Sequence, residues 1–222
     1  GPVLLVLPED GQAVARMMFD AIIEGECLSP NDRAMLAEGI VMITDESAVN
    51  ITRDTRRLQR TALDHEAVMM IGDPLRNLLG GADENDNGVA GLACDTIRRD
   101  LCRGADLTVF LSHHNRKPGK EAPADASATV HDLRGGGGWA NGSRLVLGVS
   151  KKHNRITVAG LKANRIRADL HHELDLAIEA DPTNPARWLS CRVTDANAGA
   201  NSESLTAGIG RSLNANEVTV LS

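Results

Sequence analysis

Val68-Met69-Met70-Ile71-Gly72-Asp73-Pro74 is a short apolar run that stops on a carboxylate. Such a run, bounded by turn residues, reads as a buried parallel strand that carries one acid to the carboxyl edge of a sheet. Ligands of open α/β sheets bind at that edge. A second run, Leu107-Thr108-Val109-Phe110-Leu111, ends in Ser112-His113-His114, so two central strands deliver polar groups to one rim.

Residues on either side fit the same plan. Gly1 to Leu7 is a strand ending in Pro8-Glu9-Asp10-Gly11, and a chain that opens on a core strand is expected to be truncated at its N-terminus. Val14, Met17, Met18, Ala21 and Ile22 give Gln12 to Glu26 a helical period. Ser29-Pro30-Asn31-Asp32 starts a helix, Gly39 closes it, and Ile40-Val41-Met42-Ile43 is the next strand. Thr52 to His65 is a charged helix on the outside of the sheet, carrying Arg53, Arg56, Arg57 and Arg60. Asp73 is followed by a loop from Leu79 to Gly88 and a helix from Val89 to about Arg103. The order β-α-β-α-β-α-β predicts an α/β fold with a mostly parallel, twisted sheet and helices on both faces.

The pattern then changes. Residues 114–142 are rich in Pro, Gly, Lys, Ala and Ser, include Gly135-Gly136-Gly137-Gly138, and read as one long loop. Arg144 to Val149, Arg155 to Ala159 and Leu174 to Ile178 read as strands of an antiparallel C-terminal extension. Residues 1–180 are therefore taken as one domain, and 181–222 as a weakly patterned tail or fragmentary appendage.

Bulk composition narrows the function. The chain has 222 residues, enough for one sizeable core. Its aromatic residues are Phe19, Phe110, Trp139 and Trp188, which argues against base-stacking platforms for single strands. No apolar run approaches the ~20 residues of a membrane span and no signal peptide opens the chain, so a soluble, cytoplasmic protein is expected. Cys27, Cys94, Cys102 and Cys191 form no C-x-x-C pair, which points to free thiols. The net charge of −6 hides a basic excess between residues 113 and 170, suited to phosphate or equally to a solvated face.

Each candidate site residue has a plain alternative. Asp73 after an apolar run is either a Walker B-like acid for the water shell of Mg²⁺ or a capping residue. Glu9, on another strand end, could polarise an attacking water. His113 and His114 could be metal ligands, general bases or phosphate sensors. Being adjacent on an extended segment they face opposite ways, and no zinc spacing surrounds them. A third alternative for the whole site is a metal-dependent hydrolase using Asp73 with one of these histidines. Asp83-Glu84-Asn85-Asp86-Asn87-Gly88 matches the first half of an EF-hand loop, but Cys94 stands at the twelfth position, which favours a helix-capping turn. No G-x-x-x-x-G-K-[ST] occurs in the sequence.

Taken in order, Gly1-Pro2-Val3 to Leu7-Pro8-Glu9-Asp10, Asp73-Pro74-Leu75-Arg76, Phe110 to Lys117, Arg134-Gly135, Arg144 and Leu161-Lys162-Ala163-Asn164 resemble the RepA-type hexameric replicative helicases. These are plasmid and phage ATPases of the RecA-like P-loop class, and the resemblance spans roughly residues 1–170. It implies a RecA-like sheet, ATP and Mg²⁺ as cofactors, single-stranded DNA as partner, and a hexameric ring. It also implies roles: Glu9 as the catalytic glutamate, Asp73 as the Mg²⁺ acid, and one of His113 and His114, with His114 preferred, as the γ-phosphate sensor. Arg144 would be the arginine finger for the neighbouring subunit, with Lys162 assisting at the nucleotide. Arg134, Gly135, Gly136 and Gly137 would line the DNA channel. Two departures stand out: the family's P-loop precedes a strand like Val3 to Leu7, and four glycines replace its Arg-Gly-Ser-Ser segment. The resemblance thus implies a helicase fragment that lacks Walker A and is inactive alone; the alternative is a RecA-like module that has lost catalysis and serves in DNA binding or assembly.

Overall fold

The computed structural model describes residues 1–44, 49–114, 129, 133, 137–164 and 170–196, and the backbone of 218–221. Its elements are β1 (Val3–Val6), α1 (Gln12–Gly25), α2 (Pro30–Gly39), β2 (Ile40–Ile43), α3 (Thr55–Asp64), β3 (Met69–Gly72), α4 (Leu75–Leu78) and α5 (Asn87–Thr96). A π-helical segment, Ile97–Cys102, continues α5, and β4 (Thr108–Ser112), α6 (Gly137–Gly142), β5 (Leu145–Lys152), β6 (Arg155–Ala163), β7 (His171–Asp181), β8 (Asn184–Asp195) and β9 (Val218–Leu221) follow. The sheet order is β2-β1-β3-β4-β9-β5-β6-β7-β8. Strands β1 to β4 and β9 pair in parallel, β5 joins β9 in parallel, and β5 to β8 form an antiparallel meander.

Local chemistry explains the boundaries. Ser29 and Asp32 form a reciprocal capping box with Pro30 in the first turn of α2. Asp86 Oδ1 accepts the N–H groups of Gly88 and Val89, so the acidic run before α5 is a capping turn. Right-handed crossovers place α1 and α2 on one face of the sheet and α3 with α5 on the other.

The two faces are unequally covered. Leu4, Val6, Met70, Val109 and Leu111 are fully buried against Leu58, Ala62, Ile97 and Leu101 of α3 and the α5 extension. The alternate residues of the same strands remain partly exposed, because α1 buries only Ala15 and Ala21 and α2 buries nothing. Strands read as apolar on both faces thus pack deeply on one. On the looser face the meander returns toward α1: Glu26 Oε1 accepts the Val193 N–H at 3.2 Å, and a Cβ on Gly25 would overlap the Cys191 carbonyl.

Two segments differ from the sequence reading. Residues 137–142 are the helix α6 rather than loop. Gly138 and Gly142, one turn apart, sit directly on Ala90 and Cys94 of α5: a Cβ on Gly138 would lie 2.8 Å from the Ala90 Cβ, and one on Gly142 would overlap the Cys94 sulfur. Between them Trp139 is fully buried and its Nε1–H donates to the Glu84 carbonyl at 3.0 Å. The stretch from 181 onward, read as a tail, holds β8, hydrogen-bonded along β7, and β9, which lies between β4 and β5. Edge position explains why β8 lacks an apolar signature: Pro185 and polar residues are tolerated where only one side of the strand is paired.

All four cysteines are free, and Cys27 alone is exposed. Burial pushes the thiols of Cys94 and Cys102 up to about 11. Alkylation of the native protein at neutral pH is therefore expected to label Cys27 and to reach Cys94 and Cys102 only on unfolding; rapid native labelling of either would contradict their packing. Gly142→Ala is expected to cost ~1–3 kcal/mol in denaturant titration by forcing α6 off α5; an unchanged midpoint would mean the two helices are not in contact.

Candidate functional site

Parallel register sets the geometry of the rim. Val6 is level with Gly72 and Gly72 with Leu111, so the residues that follow leave the sheet side by side. The Asp73 N–H donates to the Val6 carbonyl at 3.0 Å, which fixes its backbone to the tip of β1. Its carboxylate is exposed, and the Ser112 hydroxyl donates to Asp73 Oδ1 from the neighbouring strand. Glu9 lies just beyond the end of β1, exposed on the same edge. The sequence reading of strand ends thus brings Glu9, Asp73 and the β4 terminus to one rim. It assigned no role to Ser112, although the polar residue closing a run level with Asp73 was visible.

The adjacent histidines divide as extended backbone requires. His113 is 2% exposed and meets Trp139 edge-on, with ring centroids 6.1 Å apart at 73°, while His114 is exposed. Through Trp139 the end of β4 is therefore in contact with α6. That helix is held at its start by Gly138 N–H donating to Asn87 Oδ1 at 3.0 Å. At its end the Lys162 ammonium donates to the carbonyls of Ala140 at 2.6 Å and Ser143 at 2.8 Å, and Arg98 Nη2 donates to the Gly142 carbonyl at 3.1 Å.

Lys162 thus has its donors on the last turn of α6, a capping position that sequence reasoning took as a nucleotide contact. Burial, then the charge of Arg144, holds its pKa below the usual lysine value. Arg144 is half-buried before β5. Leu145 is level with Thr219, and Thr219 with Phe110, so Arg144 stands on the amino-terminal side of the rim and does not join Asp73 within one chain. Gly137 is the exposed first residue of α6. Arg134, Gly135 and Gly136 lie outside the described residues.

An exposed carboxylate with a hydroxyl beside it is a hard oxygen pair suited to the water shell of Mg²⁺. Among the described residues no three His, Cys, Asp or Glu side chains gather as a metal ligand set, and no helix is long and apolar enough to cross a membrane.

Comparison with known proteins bears on family and fold. No curated protein matches the chain. Among solved structures, a KaiC-like protein from the hyperthermophilic archaeon Pyrococcus horikoshii superposes with a TM-score of 0.52 at 14% identity, over 87% of this chain and 75% of that one, a likeness of fold. An AAA domain family model matches residues 1–120, more than half of the sequence and the part that carries β1 to β4 and their tips. The chain belongs to the AAA domain family and has a RecA-like fold.

Proposed function

We propose that this chain is the ATPase core of a RepA-type replicative DNA helicase, coupling ATP hydrolysis to movement along single-stranded DNA. The observation that carries the reading is the Ser112 to Asp73 hydrogen bond at the carboxyl rim, with Glu9 on the adjoining strand tip. Residues 1–222 contain no G-x-x-x-x-G-K-[ST], the phosphate-cradling loop that turnover needs, so the reading is tested on a protein that carries such a loop.

In this reading Ser112 orients the Asp73 carboxylate toward the water shell of Mg²⁺. Bound Mg²⁺ supplies charge neutralisation at the transferred phosphoryl group. Glu9, free in solvent at the tip of β1, takes a proton from the attacking water. His114 reaches the terminal phosphate as an exposed donor, and its neighbour His113 conveys the position of the β4 tip to α6 through Trp139. Arg144, placed away from its own rim, serves the nucleotide of the next subunit in a ring. Lys162 supports it by fixing the end of α6 beside it. Arg134 to Gly137 contact the DNA backbone.

The absence of a phosphate-cradling motif also favours a second reading, a RecA-like module that binds DNA or assembles without hydrolysis. Joining these residues to a segment that carries the loop separates the two: the helicase reading requires ATP turnover stimulated by single-stranded DNA, and DNA binding without turnover would establish the second.

In such an active protein, Glu9→Gln is expected to lower turnover by ~100-fold or more while leaving assembly intact. Unchanged turnover would remove Glu9 from the reaction. Ser112→Ala is expected to raise the Mg²⁺ concentration for half-maximal turnover by ~10-fold, as loss of an orienting partner does elsewhere; an unaltered Mg²⁺ dependence would sink the pairing with Asp73. Arg144→Ala should abolish DNA-stimulated hydrolysis and spare nucleotide binding, and lost binding would place Arg144 in its own subunit's site.

A further inference from the structure

The outer face of α3 is a stripe of arginines. Arg56, Arg57 and Arg60 lie on the side of α3 opposite the buried Thr55, Leu58 and Ala62, Arg53 sits in the turn just before the helix, and all four are exposed. The π-helical extension of α5 packs beside α3, joined by the Thr55 hydroxyl donating to Asp100 Oδ2 at 3.3 Å, and carries the exposed Arg99, paired with Asp100, and Arg103. Like charges three and four apart destabilise a helix, and a bound polyanion would relieve that repulsion. Asp54 accepts the Asn50 N–H, and Asp100, held by Arg99 and Thr55, also feels the charge of Arg56. Arg53, Arg56, Arg60 and Arg103 form no ion pair among the described residues.

We infer that this α3 face binds the phosphate backbone of a nucleic acid, independently of base sequence and apart from residues 134–137. Every cation in the stripe is arginine, whose planar fork matches phosphate bidentately. Between Arg53 and Arg60 the exposed side chains are all arginine, and the exposed apolar side chain of α3, Leu63, lies at the end of the stripe rather than at the centre where a protein interface needs it. The acids on α1 and α2, Asp20, Glu24, Asp32 and Glu38, could receive a stripe from a second copy, but they are interspersed with the exposed Arg16 and Arg33, and three acids of this region are already engaged. Asp32 closes the capping box, Glu24 pairs with Arg33, and Glu26 accepts from Val193.

The test is fluorescence anisotropy of the 222-residue chain with a labelled DNA duplex in two unrelated sequences, titrated between ~50 and ~200 mM salt. The triple variant Arg53→Ala/Arg56→Ala/Arg60→Ala keeps good helix formers at exposed positions, and thermal melting checks that it folds. Both duplexes are expected to bind the native chain alike. The variant is expected to lose about tenfold or more in affinity, with the slope of log K against log salt falling by ~2–3, at ~0.9 per phosphate contact. Arg33→Ala, on the opposite face, should leave affinity and slope unchanged, and Arg134→Ala should leave the stripe's share of the slope in place whether or not the helicase reading holds. An unaltered slope in the triple variant, or no duplex binding by the native chain, would overturn the assignment. So would loss of self-association in sedimentation with duplex binding intact, which would give the stripe to a second copy.

Discussion

Parallel pairing of β1, β3 and β4 at a common level is the constraint on which the rest depends. Side chains alternate across a strand, so a shift of one residue would bury Asp73's neighbours on the wrong face and carry the acid away from Ser112. The level is held from one side. Leu4, Val6, Met70, Val109 and Leu111 interlock with α3 and the α5 extension, whereas α1 and α2 cover the other face lightly. The rim of exposed polar groups is thereby anchored to the best packed part of the molecule, as a preorganised site requires.

The α6 helix extends that logic to the antiparallel half. Glycine is a poor helix former, yet Gly138 and Gly142 are the residues that let α6 lie against Ala90 and Cys94. The close approach lets Trp139 enter the core, touch His113 and donate to the Glu84 carbonyl. Lys162 and Arg98 then satisfy the carbonyls that a six-residue helix leaves open at its end. A glycine run that suggests freedom in sequence is here the condition for contact.

Elements governed by local chemistry were readable in the sequence. Ser29-Pro30-Asn31-Asp32 announces α2, Gly39 ends it, Ile40 opens β2, and Asp86 caps α5, because each boundary rests on neighbours in the chain. The α/β order and the convergence of Glu9, Asp73 and the β4 tip follow from counting strands and their ends. What depends on distant partners was not readable. Stability of α6 comes from α5, β8 is an edge strand with no apolar period, and β9 reaches a place between β4 and β5 that no spacing announces. Lys162 shows the same limit within the candidate site: its residue type suits a phosphate, but its ammonium is engaged by the Ala140 and Ser143 carbonyls.

The return of β8 onto α1 bears on how the sheet ends. An edge strand offers its outward N–H and carbonyl groups as a template for another chain, and a long one invites aggregation. Here Glu26 takes the Val193 N–H and the Gly25 backbone lies against Cys191, so a helix from the opposite end of the sheet blunts that edge midway. The short β2 at the other end pairs with β1 alone among the described residues. Growth of the sheet by strand addition is therefore directional: resisted at β8 by the fold's own first helix, and limited at β2 chiefly by the brevity of the strand.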